Sequence, residues 1–426
     1  MRWIIEASVL LSIAGIMAKE FFLEGWPAPI VVSSGSMATT YLGPHRVTRC
    51  PDCGMEFACD AVGSRDNASA TCPNCGRGGI ELAPDIIAGD RLLIDRSTFA
   101  WRAPRRWEVA LFRCPERASD YCIKRIVGLP GEAIEIRDGD VYVDGSIARK
   151  PLDRQREMAI LVHDTAWSSA ASDLPNRWSA QPDSGWQIVD GGWQCKLRSP
   201  SINWLNYVHW RRTAGGPLTI GEAPIRDEDG YNQTTSRQLN DVTDLMLVCQ
   251  LSASGKGTLQ LKARDGREEF QVSILPATGA IALARNGREV QSIQAVAGLL
   301  DWPTEVVLSL IDQQVVLAIG GRTELIYPYV PPSSDLHASS QPFSIGASGL
   351  EILISRLQIW RDVYYTRPIR SANSTICHLG PDEYFVLGDN SPISRDSRPW
   401  TGGEVLRDSL LVGRPLSVFR RREIGN

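Results

Sequence analysis

Histidine is scarce in this chain of 426 residues, which contains five. None of them lies in a recognisable catalytic surrounding: His45, His163, His209, His337 and His378. Histidine is the usual proton acceptor for a nucleophilic serine. If the chain carries a serine nucleophile, its base is therefore to be sought among the lysines.

Positive charge is not in excess either, since the formal net charge is −4 and the isoelectric point is about 5.9. Global charge therefore gives no support to nucleic-acid binding. Ten cysteines are too few for a disulfide-dense scaffold of this length. The chain is long enough for two or three domains, each with its own core.

Long hydrophobic runs are also lacking. Residues 3–23 are mostly apolar, and a helix of this length would just span a bilayer core of about 30 Å. Glu6, Lys19 and Glu20 interrupt the segment and leave an uncharged run of twelve residues, Ala7 to Ala18. These residues alone fit a membrane anchor, a cleaved signal peptide or a soluble helix.

A serine and a lysine are the candidate catalytic residues. The β-branched run that begins at Val31 ends in Ser33-Ser34-Gly35-Ser36-Met37, and a serine there needs a base to become nucleophilic. Lys124 lies where apolar residues alternate as in a half-buried strand. Burial would lower the pKa of its amine from about 10.4 toward the range of about 7 to 8 that a base requires.

Four segments of the chain, taken in order, resemble the four signature motifs of the bacterial type I signal peptidases. They are Ser34-Gly35-Ser36-Met37, residues 89–95 (GDRLLID), residues 123–132 (IKRIVGLPGE) and residues 388–398 (GDNSPISRDSR). They cover well under half of the chain. The resemblance implies a membrane-bound serine endopeptidase that removes signal peptides from exported preproteins, with Ser36 as nucleophile and Lys124 as base.

Further roles follow from the same resemblance. Ser34 would hold the oxyanion together with the Ser36 backbone N–H, and Ser394 would form a hydrogen bond to the base. Asp396 and Arg398 would form a supporting ion pair, and Asp389 would hold the last loop.

The substrate would be an extended peptide with small residues at positions −1 and −3 before the cut. A predicted strand over Ile30 to Ser33 would pair with its backbone. Ile30, Val32, Met37 and Ile123 would lie near the small side chains. The resemblance also implies an uncleaved amino-terminal anchor in the cell membrane and a catalytic domain on its exoplasmic side, in contact with membrane lipid.

The chain departs from the family pattern at three positions near the site. Ser33 and Thr39 stand where the family usually has proline, which leaves the backbone near Ser36 less restricted. Cys122 takes the place of a tyrosine two residues before Lys124.

Two cysteine pairs, Cys50-Pro51-Asp52-Cys53-Gly54 and Cys72-Pro73-Asn74-Cys75-Gly76, have the spacing of a zinc ribbon. Zinc held by Cys50, Cys53, Cys72 and Cys75 is the favoured interpretation, and it would be structural because four thiolates leave no open position. Disulfides and free thiols also fit, since an exoplasmic compartment favours oxidation. No cofactor is expected for catalysis.

The remaining pattern is one of short strands separated by turns, which predicts a mainly β protein. An antiparallel, barrel-like peptidase domain would follow the anchor, with a zinc ribbon and a concanavalin-like β-sandwich inserted into it. The predicted units are the anchor (1–24), the catalytic domain in three parts (25–48, 81–155 and 373–426), the ribbon (49–80) and a tryptophan-rich sandwich (156–372).

A second function class is a membrane-tethered, lectin-like binding protein built on an inactive peptidase scaffold. The tryptophans of the sandwich could stack on a cell-surface glycan or contact a protein, although most of them are expected to be core residues. The intact serine, lysine and Ser394 favour the enzyme.

Overall fold

The computed structural model describes residues 27–61, 69–167, 174–196, 200–212, 219–233, 235–332, 338–366, 376–398 and 405–419, together with Ser12 and Gly15. The fold is mainly β, as predicted, and all its paired strands run antiparallel. The predicted membrane anchor lies almost entirely outside the described residues. Among those residues, no helix has the length and apolar character needed to cross a bilayer.

A seven-stranded sheet contains or adjoins the four motif segments. Its strands, in spatial order, are β1 (Ala28–Val31), β6 (Arg91–Asp95), β30 (Leu411–Phe419), β7 (Val109–Cys114), β8 (Arg117–Gly128), β28 (Glu383–Leu387) and β29 (Leu406–Arg407). β1 and β30, the first and last strands of the described region, both pair with β6, and β30 and β28 flank the hairpin β7–β8. The first strand ends at Val31 rather than at Ser33, because the chain turns away from β6 at the serines.

A four-stranded sheet extends this unit. It contains β11 (Ser146–Ile147), β10 (Asp140–Val143), β9 (Ala133–Arg137) and β27 (Ile376–His378), in that order. The elements with described bounds include the short helices α1 (Thr98–Trp101) and α2 (Leu152–Met158) and 3-10 turns at Gly35–Met37, Gly230–Asn232 and Asp408–Leu410.

Three two-stranded sheets lie near the cysteine pairs and beside the sandwich. They are β2 (His45–Arg49) with β3 (Glu56–Asp60), β4 (Ser69–Ala70) with β5 (Ile80–Glu81), and β17 (Trp210–Arg212) with β18 (Ile220–Glu222). Trp210 packs into the same apolar cluster as the buried cysteines, so residues far along the chain complete the core of the cysteine-containing unit.

Thirteen strands make up the sandwich. They are β12 (Ile160–Asp164), β13 (Trp178–Ala180), β14 (Trp186–Val189), β15 (Gly192–Cys195), β16 (Asn203–Tyr207), β19 (Leu245–Arg264), β20 (Glu269–Leu275), β21 (Ala280–Arg285), β22 (Arg288–Gln294), β23 (Thr304–Ile311), β24 (Gln314–Ile319), β25 (Arg322–Pro328) and β26 (Phe343–Arg361).

The two long strands β19 and β26 organise the sandwich. One half of β19 pairs with β23 and the other half with β20, while β26 follows it along its whole length. The sequence pattern predicted two separate strands here, at 244–249 and 258–261. They are one strand whose register shifts between Gly255 and Thr258, where Gly255 has φ +120°. One apolar cluster fills the interior of the sandwich.

Tryptophans contribute to this core, as the less specific interpretation of the sequence predicted. Trp178, Trp186 and Trp193 are buried in it, whereas Trp210 is buried in the cluster around the paired cysteines. The sandwich joins the peptidase unit through a buried ammonium group: Lys150 Nζ lies 2.6 Å from Asp312 Oδ1 and 2.8 Å from Asp362 Oδ2.

Candidate active site

Ser36 lies in the 3-10 turn that follows β1. The N–H of Ala38 donates to the carbonyl of Gly35 over 3.0 Å and closes the turn. Ser36 is only 8 % exposed. The serine therefore sits on a short, hydrogen-bonded turn against the sheet, the nucleophile turn (Gly35–Met37).

Lys124 reaches Ser36 from the neighbouring part of the sheet. It lies on β8 opposite Ala110 of β7, and its side chain is buried. The Nζ of Lys124 is 2.5 Å from the Oγ of Ser36, although 88 positions separate the two residues in the chain. The structure thus brings together the two residues that sequence analysis selected as nucleophile and base.

Burial also changes the acidity of the lysine. Desolvation lowers the pKa of Lys124 from 10.5 to about 8. Asp396 and Asp389 oppose this shift, whereas Arg398 adds to it. A pKa near 8 leaves a substantial neutral fraction near neutral pH, and only the neutral amine can accept a proton.

Ser34 stands at the entrance to the pair. It is exposed, and its Oγ donates to the Oγ of Ser36 over 3.4 Å. A hydroxyl this close to the Ser36 oxygen can also reach an oxygen atom that develops negative charge beside it.

The loop that follows β28 closes behind the pair. Arg398 binds Asp396 through two hydrogen bonds, Nε to Oδ1 at 2.8 Å and Nη2 to Oδ2 at 2.7 Å, and both side chains are buried. Gly388 lies so close to the nucleophile turn that an added Cβ would be 2.4 Å from the carbonyl oxygen of Ser36. Glycine at this position allows the loop to approach the turn.

Asp389 is held by a residue that sequence analysis did not single out. Arg125 donates to it through Nε at 2.8 Å and Nη2 at 2.6 Å and is itself fully buried. Thr40 Oγ1 also donates to Asp389, over 2.5 Å. Successive side chains of a strand point to opposite faces, so Arg125 lies on the face opposite Lys124. The sequence signal for its role was a second basic residue directly after the lysine. Asp389 thus connects the last loop to the segment after β1, through Thr40, and to β8, through Arg125.

Ser394 does not make the hydrogen bond that the resemblance implied. Its Oγ is buried and has no hydrogen-bond partner within the described residues. The hydroxyl packs against Gly388, 2.2 Å from the point where a Cβ would stand. The expected bond from Ser394 to Lys124 is therefore wrong for this structure.

The four apolar residues predicted to face substrate lie in one cluster. Val32 and Met37 are buried, and Ile30 and Ile123 are partly exposed around them. β1 pairs with β6 along one edge, and no described strand pairs with its other edge. An open strand edge beside a cluster of apolar residues can accept an extended peptide.

A cavity of about 680 Å³ lies elsewhere. It is lined by residues of the segment that follows β1, the cysteine-containing unit and the sandwich, among them Thr40, Phe57, Tyr231 and Trp360. Neither Ser36 nor Lys124 lines it.

The four paired cysteines converge in space. Their sulfur atoms lie within 4.8 Å of one another, with Cys50 Sγ 3.5 Å from Cys75 Sγ and Cys53 Sγ 3.6 Å from Cys72 Sγ. A disulfide would need about 2.05 Å. Four thiolates at about 2.3 Å from one zinc ion would be about 3.8 Å apart, close to what is found. The residues fit a zinc ion.

Two other cysteines form a disulfide that the sequence did not predict. Cys114 on β7 is bonded to Cys122 on β8. The cysteine that replaces the family's tyrosine thus clamps the hairpin two residues from Lys124.

Comparison with known proteins points to one family over part of the chain. Residues 73–184 match the family described as "Signal peptidase, peptidase S26". This region includes Lys124 and ends before the last motif, and Ser36 precedes it.

Curated relatives give the same indication. "Signal peptidase I V" of Bacillus subtilis (strain 168) is 32% identical over 73 residues, which is 17% of this chain and 42% of the relative. "Probable signal peptidase I-2" of Synechocystis sp. is 34% identical over 71 residues, 16% of this chain and 33% of the relative. The chain therefore spans less than half the length of these relatives.

Solved structures resemble this chain only distantly. The carbohydrate binding module CBM66 from Bacillus subtilis has a TM-score of 0.27 and 8% identity, with 42% of this chain and 92% of that chain covered. The Bacillus licheniformis beta-glucanase has a TM-score of 0.29 and 10% identity, with 44% and 94% covered. At these scores the likeness indicates no ligand. The sequence comparisons show that a part of this chain is similar to the type I signal peptidases, which are peptidases.

Proposed function

We propose that this protein is a signal peptidase that cleaves exported preproteins with a Ser36–Lys124 dyad. The observation that carries the proposal is the buried 2.5 Å contact between Lys124 Nζ and Ser36 Oγ. Ser36 and Lys124 belong to two different motifs that lie 88 positions apart in the chain.

In the proposed reaction, neutral Lys124 accepts the proton of Ser36 as Oγ attacks the scissile carbonyl. The resulting ammonium gives its proton to the leaving amine, and the neutral lysine then activates a water that hydrolyses the acyl-enzyme. The Ser36 N–H and the Ser34 hydroxyl stabilise the oxyanion. Loss of one such donor costs about 2.7 to 4 kcal/mol in comparable sites.

The substrate in this proposal is an extended peptide that pairs with the open edge of β1. Its small residues at −1 and −3 contact the exposed parts of Ile30 and Ile123, and Val32 and Met37 pack behind these two side chains. Asp389, Asp396 and Arg398 support the loop that packs on the nucleophile turn.

Membrane association is part of the proposal. Val31, Arg91 and Phe419 are neighbours across three adjacent strands, and Val31 and Phe419 are 57 % and 59 % exposed. Two exposed apolar side chains that flank the exposed Arg91 are suited to the bilayer surface from which a signal peptide emerges. The Cys114–Cys122 disulfide supports an exoplasmic location, where disulfides persist.

Zinc is proposed for the cysteine cluster. Bound there, it would add folding free energy and no chemistry, because four thiolates leave no open position. We expect one zinc per chain by elemental analysis, lost in Cys50→Ser and retained in Cys249→Ser, a buried cysteine outside the cluster. Absence of zinc together with disulfides among the four cysteines would overturn this assignment.

The deciding experiment is cleavage of a panel of preproteins by detergent-solubilised protein, with sequencing of the new amino terminus. Wild type should cut after a small-x-small sequence, and Ser36→Ala and Lys124→Ala should not. Failure of wild type on the whole panel, or cutting by the variants at its rate, would refute the peptidase. Binding of a glycan or protein by the sandwich stays a prediction of the sequence.

A further inference from the structure

A turn of the inserted segment lies directly against the turn that carries Ser36. The 3-10 turn Gly230–Asn232 begins after Asp229, whose Oδ1 accepts the N–H of Tyr231 at 2.8 Å. Tyr231 and Asn232 are both buried. They belong to the long segment between the lysine motif and the last motif, which has no assigned role in catalysis.

Asn232 forms a reciprocal amide pair with Asn390 of the last motif. Asn232 Nδ2 donates to Asn390 Oδ1 at 2.8 Å, and Asn390 Nδ2 donates to Asn232 Oδ1 at 2.9 Å. The same Asn390 Nδ2 donates its second hydrogen to the carbonyl of Gly35 at 3.0 Å. Loss of Asn232 would leave buried donor and acceptor groups on Asn390 without partners.

Asn390 holds the nucleophile turn at two consecutive carbonyls. Besides the bond from its side chain to Gly35, its backbone N–H donates to the carbonyl of Ser36 at 3.1 Å. The side-chain amide of Asn232 therefore holds Asn390, and Asn390 in turn holds the backbone of Gly35 and Ser36. Both partners are neutral, so they restrain the turn without adding charge beside Lys124.

Tyr231 restrains the same turn through its ring. A Cβ added at Gly35 would lie 2.0 Å from Cε1 of Tyr231, so the ring covers the face of Gly35 closely. The ring is itself anchored, because its hydroxyl donates to the carbonyl of Pro44 at 3.0 Å.

We propose that Tyr231 and Asn232 are positioning residues for Ser36, and that the inserted segment thereby completes the nucleophile turn of the peptidase. This inference rests on the proposed function. The two residues act through Gly35 and Asn390, so the insertion is an integral part of the site.

The test is a kinetic double-mutant cycle in the full chain with Asn232→Ala, Asn390→Ala and both changes. Small displacements of a reacting group cost up to about 100-fold in rate. We expect Asn232→Ala to lower kcat by about 10- to 100-fold with little change in KM. Because Asn232 acts through Asn390, the double variant should lose no more than Asn390→Ala alone. Losses that multiply, or an unchanged kcat in Asn232→Ala, would overturn the inference.

A matched control separates positioning from stability. Ser309 is a fully buried sandwich residue whose Oγ donates to Gln155 Oε1 at 2.6 Å, and neither residue contacts the nucleophile turn. Ser309→Ala should lower the thermal midpoint and leave kcat per folded molecule unchanged. Tyr231→Phe, which keeps the ring, should retain most of the kcat that Tyr231→Ala loses.

A second measurement does not depend on preprotein cleavage. In an S36C background, the alkylation rate of the new thiol by iodoacetamide, followed by peptide mass spectrometry, reports the local structure of the turn. Asn232→Ala should change that rate at least several-fold, whereas Ser309→Ala should not. Equal rates would sink the positioning role even if no preprotein is cut. A changed rate with an inactive wild type would leave the positioning intact and refute the proposed function alone.

Discussion

The core of the sandwich and the immediate surroundings of Ser36 bury different kinds of side chain. Between the halves of the sandwich lies an apolar cluster that includes Phe270, Leu308 and Ile345. Around Ser36 the buried side chains include Lys124 and the ion pairs of Arg125 and Arg398.

The difference separates the residues that mainly stabilise the fold from those that serve the proposed chemistry. Apolar burial contributes about 25 cal/mol per Å² and needs no exact partner. A buried ion pair gains little net free energy, because desolvation offsets the attraction between its charges. The buried charges around Ser36 are therefore better explained by the pKa and position they give to Lys124 than by stability.

The largest expected effect comes from removing the buried amine. Lys124→Met should lower the cleavage rate by about 10²- to 10⁴-fold, the usual contribution of a general base. The thermal midpoint should stay the same or rise, because burial disfavours the ammonium that methionine replaces. The cleavage rate and the thermal midpoint can be measured on one preparation. A large fall in the midpoint would contradict the statement that buried Lys124 serves chemistry rather than stability.

The opposite pattern is expected in the sandwich core. Phe270 is fully buried and lies 4.6 Å from Tyr329 between ring centroids. Phe270→Ala should lower stability by about 3–5 kcal/mol through the cavity it leaves, with cleavage per folded molecule unchanged. Val296→Ala, at a 61 % exposed position, is the control and should shift stability by less than about 0.5 kcal/mol. An equal loss in both variants would argue against the packed core.

The disulfide beside Lys124 provides a third test, within the peptidase sheet. Opening the loop closed by Cys114 and Cys122 should cost about 2–3 kcal/mol by the chain-entropy relation. Cys122→Ser should show this loss in thermal unfolding, and mild reduction of wild type should reproduce it. A further loss when Cys122→Ser is reduced would show that another disulfide contributes.

The smallest effect, about tenfold per pH unit, is the pH dependence of kcat/KM. Since the pKa of Lys124 is lowered to about 8, the protonated amine dominates below that value and cannot accept a proton. The rate should fall tenfold per unit below about pH 8 and level off above it.

The linked stability has a defined sign. Between about pH 8 and 10.5 the unfolded chain holds a proton that folded Lys124 has released, so this group's contribution to stability grows as pH rises. That contribution is lost as pH falls through about 8. Asp396→Asn removes the largest opposing charge and should move the rate profile to lower pH. A profile that moves to higher pH would contradict the assignment of Lys124 as base.

Much of the fold was predictable because strand alternation and turn residues are local. The sequence pattern predicts strands at 108–113, 133–136 and 314–320, and the structure has strands at Val109–Cys114, Ala133–Arg137 and Gln314–Ile319. The twenty-residue strand β19 was not, since Ser254-Gly255-Lys256-Gly257 resembles a turn. Only pairing with β26 along its whole length keeps that segment extended.

The candidate site was predictable where a motif marks it and not where contacts are long-range. Ser36 and Lys124 were identified from the order of four motifs. Nothing local indicates that Asn232 pairs with Asn390, 158 positions away, or that Cys114 bonds to Cys122. The hydrogen bond expected from Ser394 to Lys124 is not formed, because the Ser394 hydroxyl packs against Gly388, a contact that the local sequence does not indicate.

By itself, the sequence determined the strand-rich character, the two cysteine knuckles and the identity of a serine and a lysine suited to peptide hydrolysis. Residue type and short spacing are enough for these features. Tertiary structure alone decided that Lys124 is buried within 2.5 Å of Ser36, that Arg125 binds Asp389, and that the inserted segment contacts the nucleophile turn. These depend on residues far apart in the chain, because desolvation and hydrogen bonding act through space.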